Sequence, residues 1–326
     1  MKSTMKVMPS FLKLLPLVAL LVFPLAADDF SLQLVTRCLI LAIFAMSLDL
    51  LAGYTGLVSF GHAAFFGIGA YTLMLLSPGY DATNFWITLP VAVVVASVAA
   101  LAIGLLVLRS SGVYFIMATL AFAQMCFYYV TRSKALGGSD GAYVNVRPDV
   151  SVFGWRLVDL DQKLQLYYLV FLLAVAVYVL LAVVLKSLFG QVLLGIRENE
   201  HRLRSLGFAT FRYKLVAFVL AGALASLAGY LDAVQFGIVT PELFGWHRSG
   251  MVLMMVILGG MGTLYGPALG AFAFVFLQNY LSDMTQHWLL PMGLFVILVA
   301  LYLPRGLAGS MRLLSLMRQR SEPGSV

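Results

Sequence analysis

Charged residues are scarce in this chain of 326 residues: only 11% are Asp, Glu, Lys or Arg, whereas 62% are hydrophobic. Soluble domains carry about 25% charged residues, so the composition excludes an ordinary soluble protein. The mean hydropathy of +0.96 instead predicts a polytopic membrane protein. The net charge of +7 would suggest nucleic-acid binding in a soluble chain. Here the basic residues flank apolar runs, which indicates membrane topology and no nucleic-acid partner.

Several signatures of enzymes and metal sites are also absent from the sequence. It contains no GxxxxGK[ST] phosphate loop, no HExxH and no CxxC. The two cysteines, Cys38 and Cys126, fall in apolar runs, which favours inert packing over a disulfide or a metal site. No Ser/His/Asp arrangement can be assigned from spacing. The sequence therefore predicts a non-catalytic chain that has no cofactor or metal of its own.

Apolar runs predict an all-α polytopic membrane protein with about ten transmembrane helices, some of them short or broken. A straight crossing needs roughly 20 residues, and the eighth and ninth runs are shorter. We therefore expect short or broken helices that meet at the sequence GTLYGP. The predicted crossings are 14–27, 31–51, 55–76, 85–108, 112–130, 164–185, 215–234, 249–262, 266–280 and 288–304.

Basic residues are unequally distributed between the two sides that these crossings define. With the N-terminus inside, the cytoplasmic segments hold fourteen basic residues and three acids, and the external segments hold six and nine. This asymmetry follows the positive-inside rule and places both termini in the cytoplasm. An alternative is that the first crossing belongs to a cleavable signal peptide, which would leave nine spans and an external N-terminus.

The whole chain, 1–326, is treated as a single transmembrane domain. Its predicted external loop is 131–163, its cytoplasmic loop is 186–214 and its basic cytoplasmic tail is 305–326. Within the external loop, the first part (YVNVR) and the second part (VSVFGWRLV) alternate weakly between apolar and polar residues. This pattern predicts a small hairpin between the two parts.

Two glycine-rich stretches, 53–69 and 259–270, lie at junctions of apolar runs. Small residues four apart let helices pack closely, and the second stretch has this spacing. Alternatively, each stretch is a broken helix that lines a pathway, because irregular backbone at membrane depth survives only inside protein or beside water. Both interpretations stay open. The candidate residues for a pathway or a helix break are Gly56, Gly61, His62, Gly260, Gly262 and Gly266.

Asp49, Asp232 and Arg37 are the only Asp, Glu, Lys or Arg residues inside the predicted crossings. Intramembrane charge indicates function by default. All three, however, lie within a turn or two of a span end, where long side chains reach polar surroundings at low cost. We favour structural roles for them and for His62. A carboxylate near mid-span is missing, which argues against a proton- or sodium-coupled carrier.

Residues 190–214 form a charged, amphipathic island between long apolar runs. An island this polar cannot lie in lipid, and its basic excess places it on the cytoplasmic side. A first amphipathic stretch runs to Glu198. Asn199 is a candidate N-cap for a short helix over 200–206, and Gly207 would end that helix.

This short helix is tied at both ends to membrane spans, which suits docking into a groove on a partner. The alternative is a basic helix that rests on membrane lipid headgroups. Acidic residues interleave with the basic ones, which favours docking. The candidate coupling residues are Arg197, Glu198, Glu200, Arg202, Arg204 and Gly207.

The chain resembles the branched-chain amino acid permease subunits of bacterial ATP-binding cassette importers, the LivM-type family. The similar stretches follow the same order over nearly the whole chain. They are LDLLAGYTGLVSFGHAAFFGIGAYT, GVYFIMATLAFAQ, LGGSDG, GIRENEHRLRSLGFATFRYKLVAFVLAGALASLAGYL and MMVILGGMGTLYGPALGA.

This resemblance implies a permease of the bacterial plasma (inner) membrane that works by alternating access beside a second, homologous permease subunit. It also implies an external solute-binding protein and two ATPase subunits that hold ATP and Mg. Gly207 and the preceding helix fall where such permeases have their ATPase-coupling loop. The wider superfamily favours a Glu-Ala-Ala run there, and this chain has His201-Arg202-Leu203.

The solute that the resemblance implies is a branched-chain amino acid. A hypothesis from a different class is a secondary carrier or facilitator for a small polar solute, such as urea, another amide or an organic acid. Such a carrier would work without ATPase partners, so co-purification of ATPase chains separates the two.

Overall fold

The computed structural model describes residues 17–25, 27–77, 83–144, 146–152, 155–303 and 306–309. Helices dominate these ranges. The helices are α1 (Asp29–Ala52), α2 (His62–Leu76), α3 (Phe85–Val107), α4 (Val113–Arg132), α5 (Lys163–Lys186), α6 (Leu188–Ser205), α7 (Thr210–Phe236), α8 (Trp246–Gly259), α9 (Gly266–Met284) and α10 (Leu289–Tyr302).

These helices make the chain an all-α polytopic membrane protein. Six helical segments are long and apolar enough to cross a membrane: α1, α3, α4, α5, α7 and a segment that begins at Leu289. The others are shorter or less apolar, so the predicted number of ten crossings is not established. Residues 17–22 are helical, but the start of the first predicted crossing lies outside the described residues, as does most of the predicted tail.

Helices α1 and α7 form the centre of the bundle. Of their most apolar 18-residue windows, 89% and 72% are buried, against 22–28% in the other four candidate spans. Helix α7 packs on α1, α2 and α3. The outer helices expose aliphatic side chains such as Val98, Leu172 and Leu294, which suits a surface in contact with lipid.

Small residues bring α2, α3 and α7 close together. A Cβ atom added to Gly229 of α7 would collide with the carbonyl oxygen of Phe66, and one added to Gly69 would collide with that of Ser226. The Ser226 hydroxyl donates to the Ala92 carbonyl oxygen at 3.0 Å. Membrane helices associate through such small-residue contacts because lipid provides no hydrophobic drive between them. These contacts fix the position of α2 within the bundle.

The predicted external and cytoplasmic loops lie at opposite ends of α5, a helix of 24 residues and about 36 Å. Four short strands lie at the end that carries the predicted external loop. They are β1 (Ala142–Tyr143), β2 (Val150–Val152), β3 (Trp155–Val158) and β4 (Ile238–Val239).

The predicted pairing of these strands is wrong. Strand β2 pairs with β3, both inside the second predicted part of the hairpin, whereas β1 pairs antiparallel with β4. The Val144 amide also donates to the carbonyl oxygen of Gly237, the residue that ends α7. The alternation over the first part is too short to specify a partner, so contacts with a distant segment decide the pairing.

Candidate functional site

The chain between α1 and α2 is not helical, so the continuous crossing predicted at 55–76 is wrong in its first part. Helix α2 begins only at His62. Gly56 has a φ of +75°, a conformation that residues with a Cβ atom rarely adopt. The Nε2 atom of His62 lies 2.8 Å from the hydroxyl of Ser47, more than a turn before the end of α1. Helix α2 therefore starts inside the bundle.

The start of α2 is enclosed by its neighbours. His62 is fully buried. The hydroxyl of Ser249 in α8 accepts a hydrogen bond from the Ala63 amide at 3.0 Å. A Cβ atom added to Gly61 would collide with the carbonyl oxygen of Thr119 in α4. These contacts give His62 a packed, hydrogen-bonded position and require glycine at the residue before it.

A second break separates α8 from α9. Gly260 and Gly262 have φ values of +110° and +75°. Gly266 begins α9, and its added Cβ atom would lie 2.8 Å from the Gly260 carbonyl oxygen. An added Cβ atom on Gly270 would collide with the Met255 carbonyl oxygen of α8. The second glycine-rich stretch therefore combines a helix break with close packing. Gly262 lies in the helix break, whereas Gly270 allows α9 to pack closely on α8.

The two breaks meet each other and the predicted cytoplasmic loop. The Asp49 Oδ1 atom accepts a hydrogen bond from the Gly262 amide at 2.8 Å. The Arg197 Nη1 atom donates to the Gly53 carbonyl oxygen. A Cβ atom added to Gly262 would lie 2.9 Å from Arg197 Nη1 and 3.1 Å from the Gly53 carbonyl oxygen. We call Asp49, Gly53, Arg197 and Gly262 the glycine junction.

Asp49 holds the glycine junction together from the end of α1. It is only 1% exposed, and a buried carboxylate is costly unless it is paired and hydrogen-bonded. The Gly262 amide and the positive charge of Arg197 offset part of this cost, while the Asp49 Oδ2 atom has no hydrogen-bond partner among the described residues. The structural role predicted for Asp49 therefore consists in joining α1 to the second break.

Helix α6 bends in the middle at the predicted N-cap. Asn199 has φ −160° and ψ 96°, and its Oδ1 atom accepts a hydrogen bond from the Arg202 amide at 3.0 Å. Gly207 lies just beyond the helix with a φ of +87°. The predicted start and end of the second short helix are therefore confirmed.

Glu200 ties this second helix to α7. Its Oε1 atom lies 2.8 Å from Lys214 Nζ and 2.7 Å from Arg204 Nη2, and it accepts a hydrogen bond from the Thr210 hydroxyl at 3.0 Å. Partial burial acts to raise the pKa of the Glu200 carboxyl. The hydrogen bond and charge of Lys214, with Thr210 and Arg204, outweigh burial and hold the pKa below its usual range. Glu200 and Arg204 therefore make contacts within the chain.

Other side chains of this region point outward. Glu198 and Arg202 are exposed, and so is Gly207. Leu206 and Phe208 are also exposed, by 68% and 40%. Sequence reasoning missed Phe208, although an aromatic residue directly after the helix-ending glycine of a polar loop was a usable signal. These residues form a mixed apolar and charged surface that we call the outward face.

The family model for the permease component of the branched-chain amino acid transport system matches residues 30–303. The chain is 31% identical over 314 residues to the high-affinity branched-chain amino acid transport system permease protein LivM of Escherichia coli K12. That match covers 89% of this chain and 74% of the relative. The probable branched-chain amino acid transport permease protein LivM of Methanocaldococcus jannaschii is 24% identical over 318 residues, which covers 81% of this chain and 89% of the relative.

A shorter match, 35% identical over 92 residues and 27% of each chain, is to the autoinducer 2 import system permease protein LsrC of Klebsiella pneumoniae. No solved structure matches the chain significantly. The family match extends over most of the helices that build and surround the glycine junction. The chain therefore belongs to the family of permease components of branched-chain amino acid transport systems.

Proposed function

We propose that the chain is a translocation subunit of an ATP-driven importer for branched-chain amino acids and works by alternating access beside a second permease subunit. Family membership supports the transport role. The relative from Escherichia coli is named as a permease of high-affinity branched-chain amino acid transport, which supports the solute. Permease components are non-catalytic, so ATP and Mg would be bound by two partner ATPase subunits. An external binding protein would deliver the solute.

The observation that carries the coupling mechanism is the position of Arg197. This residue belongs to the loop that would meet the ATPase subunits, yet its guanidinium donates to the Gly53 carbonyl oxygen of the first break and lies 2.9 Å from where a Cβ atom on Gly262 of the second break would be. A loop that only rested on lipid headgroups would not need such a contact. Arg197 therefore supports a mechanical connection between the loop and the interior of the bundle.

The outward face is the surface that would receive the ATPase subunits. Exposed Leu206 and Phe208 supply apolar area, and exposed Arg202 supplies charge. Glu200 holds the same short helix to Lys214 of α7. Displacement of this surface would therefore move the helix as a unit instead of distorting it locally.

Movement of the loop would reach the helix breaks through Arg197. The backbone between α1 and α2 has few helical hydrogen bonds to lose, so it can change conformation at lower cost than a continuous helix. Because α2 starts inside the bundle and packs tightly on α7, a shift of this backbone would reorient α2 and α7 together against the surrounding helices. This reorientation is the step that we assign to the switch between inward-facing and outward-facing states.

The experiment that tests this function combines uptake with co-purification. The chain is expressed with its predicted partners, purified in mild detergent and reconstituted in vesicles with the external binding protein. We expect retained ATPase subunits and uptake of leucine that requires ATP hydrolysis. Uptake at the same rate without ATP or without ATPase subunits would instead establish a secondary carrier or facilitator.

A further inference from the structure

Three charged side chains meet inside the helical bundle, away from the glycine junction. Asp232 Oδ2 of α7 lies 3.0 Å from Arg248 Nη2 of α8. Arg37 of α1 lies beside this ion pair, because its guanidinium stands over the ring of Phe236, one turn after Asp232 on α7, and the charges of both partners act on it. Arg37 lies eight residues, about 12 Å of helix, after the start of α1 at Asp29, which places the cluster toward the end of the bundle that carries the predicted external loop. Arg248 precedes the predicted eighth crossing by one residue, so only the fold reveals its place in this cluster.

The charges of this cluster do not balance, because it holds two guanidinium groups and one carboxylate. Aromatic rings stabilise the two guanidinium charges only in part. Arg248 Cζ lies 5.0 Å from the centroid of the Phe66 ring, and Arg37 Cζ lies 6.0 Å from that of Phe236. Cation–π contacts of this kind contribute about 0.5–2 kcal/mol, less than the penalty for a buried unpaired charge. The surplus positive charge favours a bound anionic group.

Three polar atoms of the same region are buried without a hydrogen-bond partner among the described residues. They are Asp232 Oδ1, Arg248 Nε and Gln235 Oε1. The Asp232 side chain is only 6% exposed. Gln235 lies one turn further along α7, on the same face as Asp232. Buried polar groups almost always find partners, so three unsatisfied atoms around one ion pair indicate a polar ligand.

The cluster has an exposed border through which a ligand could approach. Gln33 precedes Arg37 by one turn of α1 and is exposed. The Gln33 carbonyl oxygen accepts a hydrogen bond from Gln235 Nε2 at 2.9 Å, which joins α1 to α7 at this border. Phe236 is 50% exposed beside it. A small solute could therefore reach the charged groups from the surface of the bundle.

We propose that this cluster binds the charged head group of an α-amino acid. The carboxylate would accept from Arg37 and from Arg248 Nε, and the ammonium group would donate to Asp232 Oδ1 and Gln235 Oε1. A zwitterion offers a partner to all three unpaired atoms and places its carboxylate beside the two guanidinium groups, whereas a carboxylate alone pairs only with Arg248 Nε and an amine alone pairs only with the two oxygen acceptors. The inference rests on the proposed function, in which the solute is a branched-chain amino acid.

Protection of an engineered cysteine tests this site. Gln33→Cys is introduced in a Cys126→Ala background, since Cys38 is fully buried, and the assembled complex is labelled with a maleimide without the external binding protein. The probes are leucine, leucinamide, which lacks the carboxylate, and 4-methylpentanoate, which lacks the ammonium group. We expect leucine to slow labelling at concentrations at least tenfold lower than either analogue.

Variants of the cluster complete the test. Arg37→Gln should raise the leucine concentration for half-maximal protection at least tenfold, and Arg37→Lys should restore most of the effect because it keeps the charge. Lys163→Gln is the matched control, since Lys163 forms an ion pair with exposed Asp29 outside the cluster. A wild-type response in the Arg37→Gln variant, or equal protection by all three probes, would overturn the inference.

The outcome for this site can be separated from that for the proposed function. A wild-type complex that imports leucine but shows no protection by leucine would overturn the site alone. A complex that is protected by leucine in the expected order but does not import it would support the site and reject the proposed importer.

Discussion

The two halves of helix α6 differ in what they contact, although both carry charged residues. The first half, 188–198, places Arg197 in the glycine junction. The second half, 200–205, is held to α7 through Glu200 and turns Arg202 outward. In the mechanism that we propose, the first half would transmit movement and the second half would receive it. The charge pattern alone does not show these contacts, because both halves combine acidic and basic residues.

This difference divides the candidate coupling residues. Arg197, Glu200 and Arg204 make polar contacts within the chain. Glu198 and Arg202 are exposed, as is Gly207. We therefore expect Arg202 to contribute to docking, with Leu206 and Phe208 as its apolar neighbours, whereas substitutions of the first three residues act on the fold or on transmission.

The largest effect is expected from Gly262→Leu, which removes the space that Arg197 occupies. Its φ of +75° costs a residue with a Cβ atom about 1–2 kcal/mol, and the side chain would also press on Arg197 and Gly53. We expect at least a hundredfold loss of solute uptake in vesicles at equal membrane levels. The matched control is Gly250→Leu, because an added Cβ atom there meets nothing within 4 Å. Normal uptake by Gly262→Leu would remove the glycine junction from the mechanism.

A smaller effect is expected from Glu200→Gln, which leaves the Lys214 ammonium group buried without its carboxylate. Lys214 is 4% exposed. Removing one partner of a fully buried pair costs about 3–5 kcal/mol, and the partial exposure of Glu200 reduces this to about 1–3 kcal/mol. Thermal unfolding in detergent should show the loss, with Glu198→Gln as the exposed control. Equal unfolding temperatures for both variants would contradict the buried network.

The same network makes stability depend on pH. The pKa of Glu200 is lowered in the folded chain, so its stabilising contribution is complete above the unfolded pKa of about 4.3 and is lost as the pH falls through the folded pKa. Between about pH 5 and pH 3, the unfolding temperature of the wild type should fall further than that of Glu200→Gln. Parallel curves for the two proteins would argue against a lowered pKa.

The smallest effect on uptake is expected from two cysteine substitutions that test the topology by comparing the two ends of the molecule. Single cysteines at Ser139 and Ser205, both exposed, should react with an impermeant maleimide from opposite sides of the membrane. Uptake should stay near normal in both variants. The background reaction of half-buried Cys126 is measured in the parent chain. Labelling of both positions from one side would reject the predicted sidedness.

The sequence predicted the long helices well, because bilayer thickness sets their length. The crossings predicted at 31–51 and 85–108 correspond to α1 and α3 within two residues at each end. Helix α7 begins five residues earlier than predicted. The first turn of α7 contains polar residues, and the ion pair with Glu200 allows the Lys214 side chain at the end of this turn to be buried. Hydropathy alone could not reveal this extension.

Contacts between distant segments could not be predicted. Glycine content located both helix breaks, but nothing in their composition pairs Gly53 or Gly262 with Arg197. Likewise, Asp232 and Arg37 stood out as intramembrane charges, whereas Arg248 did not. Local sequence patterns predict where helices end and which residues cap them. The contacts of a side chain with distant residues depend instead on how the helices are arranged around α7.

The most direct test of the coupling mechanism compares Arg197→Ala with Arg202→Glu for both ATPase retention and leucine uptake. Arg197→Ala should keep ATPase subunits at the wild-type level and reduce uptake at least tenfold. The docking surface for the ATPase subunits is intact in this variant, but movement of the loop no longer reaches the helix breaks. Arg202→Glu should lose ATPase retention and uptake together, since charge reversal at a docking contact costs up to several kcal/mol. Full uptake by Arg197→Ala, or equal loss of ATPase retention in both variants, would contradict the division of α6 into a receiving and a transmitting half.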